Sequence, residues 1–235
     1  LLSKRNYTFD TLPQNLTIGT SSIRRKTQIH SIRPDLKIKY MRGNVETRIR
    51  KLKTNKYDAI ILALAGLKRL GLSYKNKDIL DISKFIPAGG QGAIAVTVRK
   101  KDSVINKLIK NINNNKTETE VKTERKFLEK INADCDSPVG AYANIINNYI
   151  CFSVIVPSKN GMFTYKSRIK SNKSEILGVR VANILKKKLG RNFLKKIKFP
   201  KKLALLLTRS IKQSNELKEC INLKNFNFFN CPMLK

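Results

Sequence analysis

Residues 16–65 have the sequence LTIGTSSIRRKTQIHSIRPDLKIKYMRGNVETRIRKLKTNKYDAIILALA, and they decide the fold because strand and helix patterns alternate along them. The first helix should end near Arg33, since Pro34 disfavours helical geometry in the residue before it. Strand, helix, strand, helix, strand predicts a doubly wound α/β unit with ligands at the carboxyl ends of its strands. The strands are expected at 16–19, 36–41 and 58–65, with helices after Ser22 and over 45–53.

A different pattern follows this unit. PAGGQG (87–92) contains three glycines and a proline and predicts a crossing or hinge segment. A strand is expected at 93–99 and a helix at 103–112. The next elements, a helix, three strands and a helix, predict a small α+β domain with a three-stranded antiparallel sheet. They are expected at 117–131, 141–146, 150–157, 162–169 and 174–189, with Val121, Phe127 and Leu128 on the buried side of the first helix.

The formal net charge of +33 allows two interpretations. One is an anionic partner, such as nucleic acid, a membrane surface or a polycarboxylate. The other is a set of solvated lysines spread over every face, and the scattered placement of the lysines favours it. The arginines differ from the lysines, because several follow Gly, Ser and Asn at loop–helix junctions, where ligands bind.

The cysteines and the chain start limit the class of protein further. Cys135, Cys151, Cys220 and Cys231 form no CxxC pair and have no zinc-ligand spacing, so no metal is expected. The first residues have no signal-peptide pattern, and no apolar run approaches the roughly 20 residues of a membrane span. We therefore expect a cytoplasmic protein without a membrane partner, and no special role for the lone His30.

Arginines recur at three successive strand–helix junctions, in GTSSIRR (19–25), MRGNVETR (41–48) and LAGLKRLG (64–71). Hydroxyl residues at a helix start offer hydrogen-bond donors to an anion, and an arginine fork binds a carboxylate bidentately. Helix capping with two solvated arginines is the alternative at the first junction. Three such junctions along one sheet edge favour convergence on a cleft for a multi-carboxylate or phosphate ligand.

Cys135 lies in ADCDSPVGAYA (133–143), a tight loop with an acid on each side of the thiol. Acidic neighbours should raise the pKa of a thiol and make it a poor resting nucleophile. A cysteine that forms one permanent thioether during maturation tolerates such a setting. An ordinary loop cysteine remains the alternative.

Together these stretches resemble the hydroxymethylbilane synthase (porphobilinogen deaminase) family. The resemblance covers residues 9–190 and implies a three-domain transferase of tetrapyrrole (heme) biosynthesis whose first two domains are like type-2 periplasmic binding proteins. It also implies a dipyrromethane cofactor bound by a thioether to Cys135. It rests on GTSSIRR, MRGNVETRI, YDAIILALAGLKRLGL, PAGGQGAIAV, TERKFL and CDSPVGAYA, in the family's order and spacing.

The chemistry implied by the resemblance is the polymerisation of four porphobilinogen molecules, with loss of ammonia, into hydroxymethylbilane. Arginines would fix the acetates and propionates of the growing linear polypyrrole, so positioning and electrostatics should carry much of the catalysis. By the resemblance, the further cofactor-contacting residues are Thr20, Ser22, Arg24, Arg25, Asn44 and Gln91, and the substrate-contacting residues are Arg42, Arg48 and Arg69.

The resemblance also implies the division of the chain. We expect an arginine-rich α/β domain at 1–86, a hinge with a strand and helix returning to another domain at 87–114, and the cofactor-attachment domain at 115–190. The family's catalytic aspartate would precede Leu1, so no catalytic residue is expected in this chain, which should be inactive alone. A monomer is expected. That catalytic aspartate is not replaced by Asp58, Asp134 or Asp136, because these acids match other positions of the family.

Residues 191–235 form a linker and the start of a further unit. The stretch from Lys201 to Leu234 resembles the opening of uroporphyrinogen-III synthase: an apolar strand at 203–209, a helix around 214–221, and a second strand that Pro232 would end. This predicts a fusion with that enzyme. A C-terminal extension packed on the preceding domain is the alternative.

The sequence also allows two classes of protein other than this enzyme family. A non-enzymatic, basic anion- or nucleic-acid-binding protein predicts cations interleaved with exposed aromatic residues, and no such pattern is found. Nucleic acid is therefore not expected as a partner. A ligand-binding domain of the periplasmic type is disfavoured by the missing signal-peptide pattern and by the Cys135 loop.

Overall fold

The computed structural model describes residues 1–134, 136–158, 161–170, 174–191, 193–194, 203–207 and 226–230. The chain divides into two compact units, Leu1–Lys196 and Ile197–Lys235. No helix in the described part of the chain is both long and apolar enough to cross a membrane.

The unit Leu1–Lys196 contains two sheets, each in a domain of its own. The first domain is built on a four-stranded sheet in the order β1-β4-β2-β3. β2 pairs in parallel with β3 and β4, whereas β1 is an antiparallel edge strand. The alternation confirms the expected α/β unit. Its elements are β1 (Leu2–Ser3), β2 (Thr17–Gly19), α1 (Ile23–Ile32), β3 (Lys37–Lys39), α2 (Val45–Lys53), β4 (Ala59–Ile60) and α3 (Leu64–Arg69).

Side-chain caps set the helix starts in this domain. The Ser22 hydroxyl accepts a hydrogen bond from the backbone N–H of Arg25, and the Asn44 side chain accepts one from Thr47 at 2.8 Å. Arg33 is the C-cap of α1, as the following proline predicts. The length expected for the strand at 58–65 is wrong. β4 has two residues, and α3 begins at Leu64, inside the stretch that was expected to be strand.

Apolar residues cover both faces of this sheet, as a doubly wound unit requires. Successive residues of β4 point to opposite faces, so Ala59 joins one core cluster and Ile60 the other. α1 packs Ile29 onto the first face, and α2 packs Leu52 onto the second. The central strands β2 and β4 are therefore buried between two helical layers, whereas β3 lies at an exposed edge.

The segment after the first domain differs from its expected structure. α4 (Ser103–Lys110) forms with Asp102 as its N-cap, as expected. Residues 93–99 form no strand, so that expectation is wrong. A strand needs a neighbour for its backbone hydrogen bonds, and none lies alongside this stretch in the described structure. Ile94 and Val96 are consequently 78% and 55% exposed.

The second domain has the expected α+β architecture. Its sheet is antiparallel in the order β5-β6-β7, and α5 and α6 pack together beside it. Phe127 of α5 and Phe152 of β6 meet edge to face, 5.5 Å apart, at the centre of its core. The elements are α5 (Asn115–Lys130), β5 (Gly140–Ile146), β6 (Tyr149–Ser158), β7 (Gly161–Lys170) and α6 (Ser174–Leu189).

The unit at 197–235 contains two parallel strands, β8 (Leu203–Leu207) and β9 (Phe226–Asn230). They lie where the sequence predicts strands. The helix expected around 214–221, Cys220, Cys231 and Pro232 lie outside the described residues.

Gly178 tests the packing of α5 against α6. A Cβ at this position would overlap the carbonyl oxygen of Thr123 and lie 3.0 Å from the backbone nitrogen of Phe127. Gly178→Ala should therefore lower the free energy of unfolding by about 1–3 kcal/mol, measured by urea denaturation. The control is Gly66→Ala in α3, where the nearest atom to a new Cβ is 3.8 Å away. A neutral or stabilising Gly178→Ala would contradict the close helix contact.

Candidate anion-binding site

The turn between β2 and α1 places two arginines at the carboxyl edge of the sheet. Thr20 is buried, and its hydroxyl accepts a hydrogen bond from the backbone N–H of Ser22. Arg24 is only 9% exposed. Its Nη1 donates to the carbonyl of Ile86 at 2.9 Å, and its Nη2 donates to Oε1 of Gln91 at 3.2 Å. Arg24 thus joins α1 to the 86–91 segment.

Arg25 and Arg48 connect the three strand–helix junctions. Arg25 Nη1 donates to the carbonyl of Ile61, just beyond β4, at 2.8 Å. Arg48, from α2, donates through Nη2 to the hydroxyl of Ser21 at 3.2 Å and through Nε to the carbonyl of Gly43 at 2.7 Å. We call Arg24, Arg25 and Arg48 the arginine cluster.

The cluster arginines form none of the described ion pairs, although Asp78 lies in the wall of the cavity beside them. Burial, and secondarily the charge of Arg25, lowers the pKa of Arg24 to about 10, so Arg24 stays charged at neutral pH. Burial and then the charge of Arg48 lower the pKa of Arg25. Neighbouring, partly desolvated cations favour the binding of an anion.

A cavity of about 270 Å³ lies beside the cluster and has Arg24, Arg25 and Gln91 in its wall. Most of the remaining wall is apolar. A pocket with apolar walls and a few convergent charges suits a ligand that combines flat apolar groups with carboxylates. The apolar lining includes Ile61, Leu62, Ala65, Phe85 and Pro87, and Tyr142 of β5 also reaches it.

The other predicted site residues have different surroundings. Arg42 is exposed, stacks 5.4 Å from the ring centroid of Tyr40 and donates through Nε to its hydroxyl. Arg69 is exposed in the last turn of α3. Neither hydrogen-bonds to the cluster in the described structure. The side-chain oxygens of Ser22 and Asn44 are engaged in helix capping.

Cys135 lies outside the described residues, but the loop around it is partly described. The Asp134 carboxylate accepts hydrogen bonds from the Ser137 hydroxyl at 2.7 Å and from the backbone N–H of Asp136 at 3.2 Å. These bonds join Asp134 to Asp136 and Ser137. Cys151 is a half-buried free thiol in β6. The attachment of a cofactor to Cys135 stays a prediction.

Two buried residues near the cluster were not predicted. Gln28 holds both backbone groups of Ile86: its Nε2 donates to the carbonyl at 3.0 Å, and its Oε1 accepts from the N–H at 2.8 Å. Glu124 of α5 accepts from the N–H of Gly90 at 2.6 Å and from that of Ala143 at 2.7 Å. The sequence did contain a signal for Glu124, because helical spacing places it on the same face as Val121 and Leu128.

Comparisons with known proteins agree on one family. Residues 1–107 match the family model described as porphobilinogen deaminase, dipyromethane cofactor binding domain, and residues 118–187 match porphobilinogen deaminase, C-terminal domain.

Curated relatives named porphobilinogen deaminase are similar over most of the chain. The Brevibacillus brevis protein is 41% identical over 186 residues, 79% of this chain and 60% of the relative. The Nitrobacter winogradskyi protein is 39% identical over 184 residues, 77% and 58% respectively. The Geobacillus kaustophilus protein is 37% identical over 199 residues, 84% and 64%. The chain thus spans about three fifths of the length of the curated relatives it matches.

Glu124 gives a testable pH dependence. Burial raises its pKa above 4.5, against its two backbone hydrogen bonds and with a lesser contribution from Glu120. The folded state therefore retains a proton that the unfolded chain has lost, so stability from this group falls as pH rises from 4.5 through the raised pKa. Relative to Glu124→Gln, the wild type should lose unfolding free energy across that window in urea titrations.

Other ionisable groups lie beside Glu124, so the experiment needs a control. Glu120 and Tyr142 are its titratable neighbours among the described residues. Glu129→Gln removes a carboxylate from the exposed side of the same helix. This variant keeps Glu124, so its unfolding free energy should fall across the same window as in the wild type. A Glu124→Gln profile identical to that of Glu129→Gln would contradict the burial of the Glu124 charge.

Proposed function

We propose, because the chain belongs to the porphobilinogen deaminase family, that the protein is a transferase that polymerises porphobilinogen into hydroxymethylbilane. The observation that carries the proposal is the arginine cluster: three neighbouring cations without an acidic partner in the described structure, two of them in the wall of one cavity. Each pyrrole ring of the substrate carries an acetate and a propionate. A growing chain of such rings is a polyanion that matches the charge of the site.

The reaction balances without an external oxidant or reductant. Each addition joins a free pyrrole carbon to the aminomethyl carbon of porphobilinogen, with ammonia leaving and the pyrrole carbon losing its proton. Four additions and one hydrolysis give hydroxymethylbilane. The role of this chain in the reaction is to bind carboxylates. Each charge-assisted hydrogen bond contributes about 1.5–3 kcal/mol to that binding.

The residues near the cluster fit a dipyrromethane group, which has two flat rings and four carboxylates. When bound, that group supplies the free pyrrole end to which units are added. Arg24, Arg25 and Gln91 would hold it from the cavity wall, with Thr20 beside them. Ser22 and Asn44 would act by fixing the helix starts, since their side chains cap α1 and α2. Arg42, Arg48 and Arg69 are proposed for the incoming substrate, and Cys135 for the thioether.

We place the reaction in the cytoplasm, as the sequence leads us to expect. We also propose a monomer, because residues of a single chain make up the arginine cluster. A nucleic-acid-binding protein is a weaker alternative. Two of the cluster arginines line a concave cavity with mostly apolar walls, whereas nucleic-acid binding calls for an exposed basic surface.

A covalent two-pyrrole adduct should be found on Cys135 in full-length protein produced in cells that make porphobilinogen. Intact-mass measurement followed by peptide mapping checks this. An adduct on Cys151, Cys220 or Cys231, or no adduct in the native protein, would contradict the assignment.

Arg25→Leu should reduce kcat/KM of the full-length protein at least about tenfold, because one charge-assisted carboxylate contact is lost. Arg25 is a cleaner test than Arg24, whose replacement would also release Ile86 and Gln91. The matched control is Arg50→Leu, which removes an exposed arginine from α2. Wild-type kinetics in Arg25→Leu would mean that this guanidinium does not bind substrate or cofactor.

A second proposal concerns residues 203–230, which we assign to a unit like the start of uroporphyrinogen-III synthase. Two parallel strands need a crossover connection, and this agrees with the strand–helix–strand pattern of that enzyme's opening. Fusion has a chemical advantage, because hydroxymethylbilane cyclises spontaneously to the wrong isomer and a tethered enzyme raises the effective concentration. The natural protein should therefore convert porphobilinogen to uroporphyrinogen III, and formation of only the spontaneous isomer would refute the fusion.

A further inference from the structure

We propose that Glu124 is a positioning residue: it fixes the angle at which the α+β domain meets the arginine cluster. This inference rests on the proposed function, since that domain contains Cys135. It concerns a buried carboxylate, 5% exposed, that lies outside the cavity wall and is not one of the expected ligand-binding residues.

The first half of the connection runs from the cluster to the 86–91 segment. Arg24 and Gln28 both donate to the carbonyl of Ile86, and Gln28 also accepts from the Ile86 N–H. Arg24 donates in addition to the side chain of Gln91. The segment is therefore held at both of its ends by two neighbouring turns of α1.

The second half runs from this segment to β5. The Pro87 carbonyl accepts the N–H of Ala141 at 2.9 Å. The Glu124 carboxylate then joins the N–H of Gly90, at 2.6 Å, to the N–H of Ala143, at 2.7 Å. One hydrogen bond would leave a pivot between segment and strand, whereas a second, displaced along the strand, fixes their angle.

The angle matters because β5 begins at Gly140, directly after the loop that contains Cys135. A change of angle at β5 moves that loop relative to Arg24 and Arg25. Small displacements of reacting groups have large kinetic effects: about 1 Å can reduce a rate on the order of a hundredfold. The carboxylate of Glu124 thus controls the distance between the Cys135 loop and the two arginines. A group attached to Cys135 would have to span that distance.

The chemistry of the side chain separates positioning from stability. A carboxylate offers two acceptor oxygens to the two N–H groups, whereas glutamine offers one oxygen and turns an NH₂ group towards the second N–H. Glu124→Gln also removes a buried charge that none of the described salt bridges includes. The loss of one hydrogen bond and the relief of desolvation oppose each other, so the fold should tolerate the change.

Glu120 provides a matched control on the same helix. Its carboxylate accepts the N–H of Ile145, the next outward-facing group of β5, at 2.8 Å. It makes no hydrogen bond to the 86–91 segment in the described structure. Glu120→Gln therefore changes the same functional group against the same strand without affecting the angle.

The experiment uses the full-length protein with its covalent group, as wild type, Glu124→Gln and Glu120→Gln. Porphobilinogen turnover gives kcat and KM, and intact-mass analysis gives the lengths of the chains bound to the enzyme. Glu124→Gln should keep its adduct on Cys135 and a KM within about twofold of wild type, while kcat falls at least about tenfold. Its bound chains should accumulate at intermediate lengths, and Glu120→Gln should behave as wild type.

Three outcomes would overturn the inference. The first is wild-type kcat in Glu124→Gln. The second is an equal loss in Glu120→Gln. The third is a loss of kcat that matches the fraction of unfolded protein measured by circular dichroism at the assay temperature, since a purely structural role predicts that proportionality. A wild-type protein with neither adduct nor turnover would instead refute the proposed function, so the two failures are distinguishable.

Discussion

Burying a guanidinium group without a carboxylate partner costs free energy. In the surroundings of Arg24, hydrogen bonds to uncharged oxygens offset part of this cost. Backbone and amide oxygens from the 86–91 segment accept its hydrogen bonds, while no described ion pair includes it. Two nitrogens of the guanidinium group are thus hydrogen-bonded although the charge is not neutralised. The same contacts hold the 86–91 segment in place, so the position of this buried cation and the position of the interdomain connection are set together.

The free edge of β5 depends on this arrangement. An edge strand exposes every second N–H, and such groups invite pairing with other chains. Here the outward N–H groups of Ala141, Ala143 and Ile145 bind the Pro87 carbonyl, Glu124 and Glu120 respectively. The edge is therefore closed by the 86–91 segment and by two carboxylates one turn apart on α5. The closure that protects the sheet also attaches the second domain to the first.

Helix packing completes the support of this edge. Gly178 lets α6 approach the backbone of α5 closely, near Thr123 and Phe127. α5 is consequently fixed on one side by α6 and on the other by β5, which leaves the Glu124 carboxylate little freedom. The cluster arginines lie on the first domain, whereas the carboxylates of Glu124 and Glu120 face the sheet of the second.

The sequence by itself determined most of the local structure. Ser22 and Pro34 predicted where the first helix begins and ends, because capping and the effect of proline act within a few residues. All three strands of the second domain were also expected from the sequence. Spacing also placed arginines at three strand–helix junctions, and the family resemblance followed from those motifs.

Only the tertiary structure decided which of these groups meet. The strand expected at 93–99 did not form, since a strand depends on a neighbour that its own sequence does not supply. The partners of buried polar groups come from distant parts of the chain: Arg24 and Ile86 are 62 positions apart, and Gly90 and Glu124 are 34 apart. Periodicity shows that a side chain is buried but not which donor it will face. Packing alone therefore decided that Arg48 lies in the cluster and that Arg42 stacks on Tyr40. It also decided that Glu124 connects the two domains.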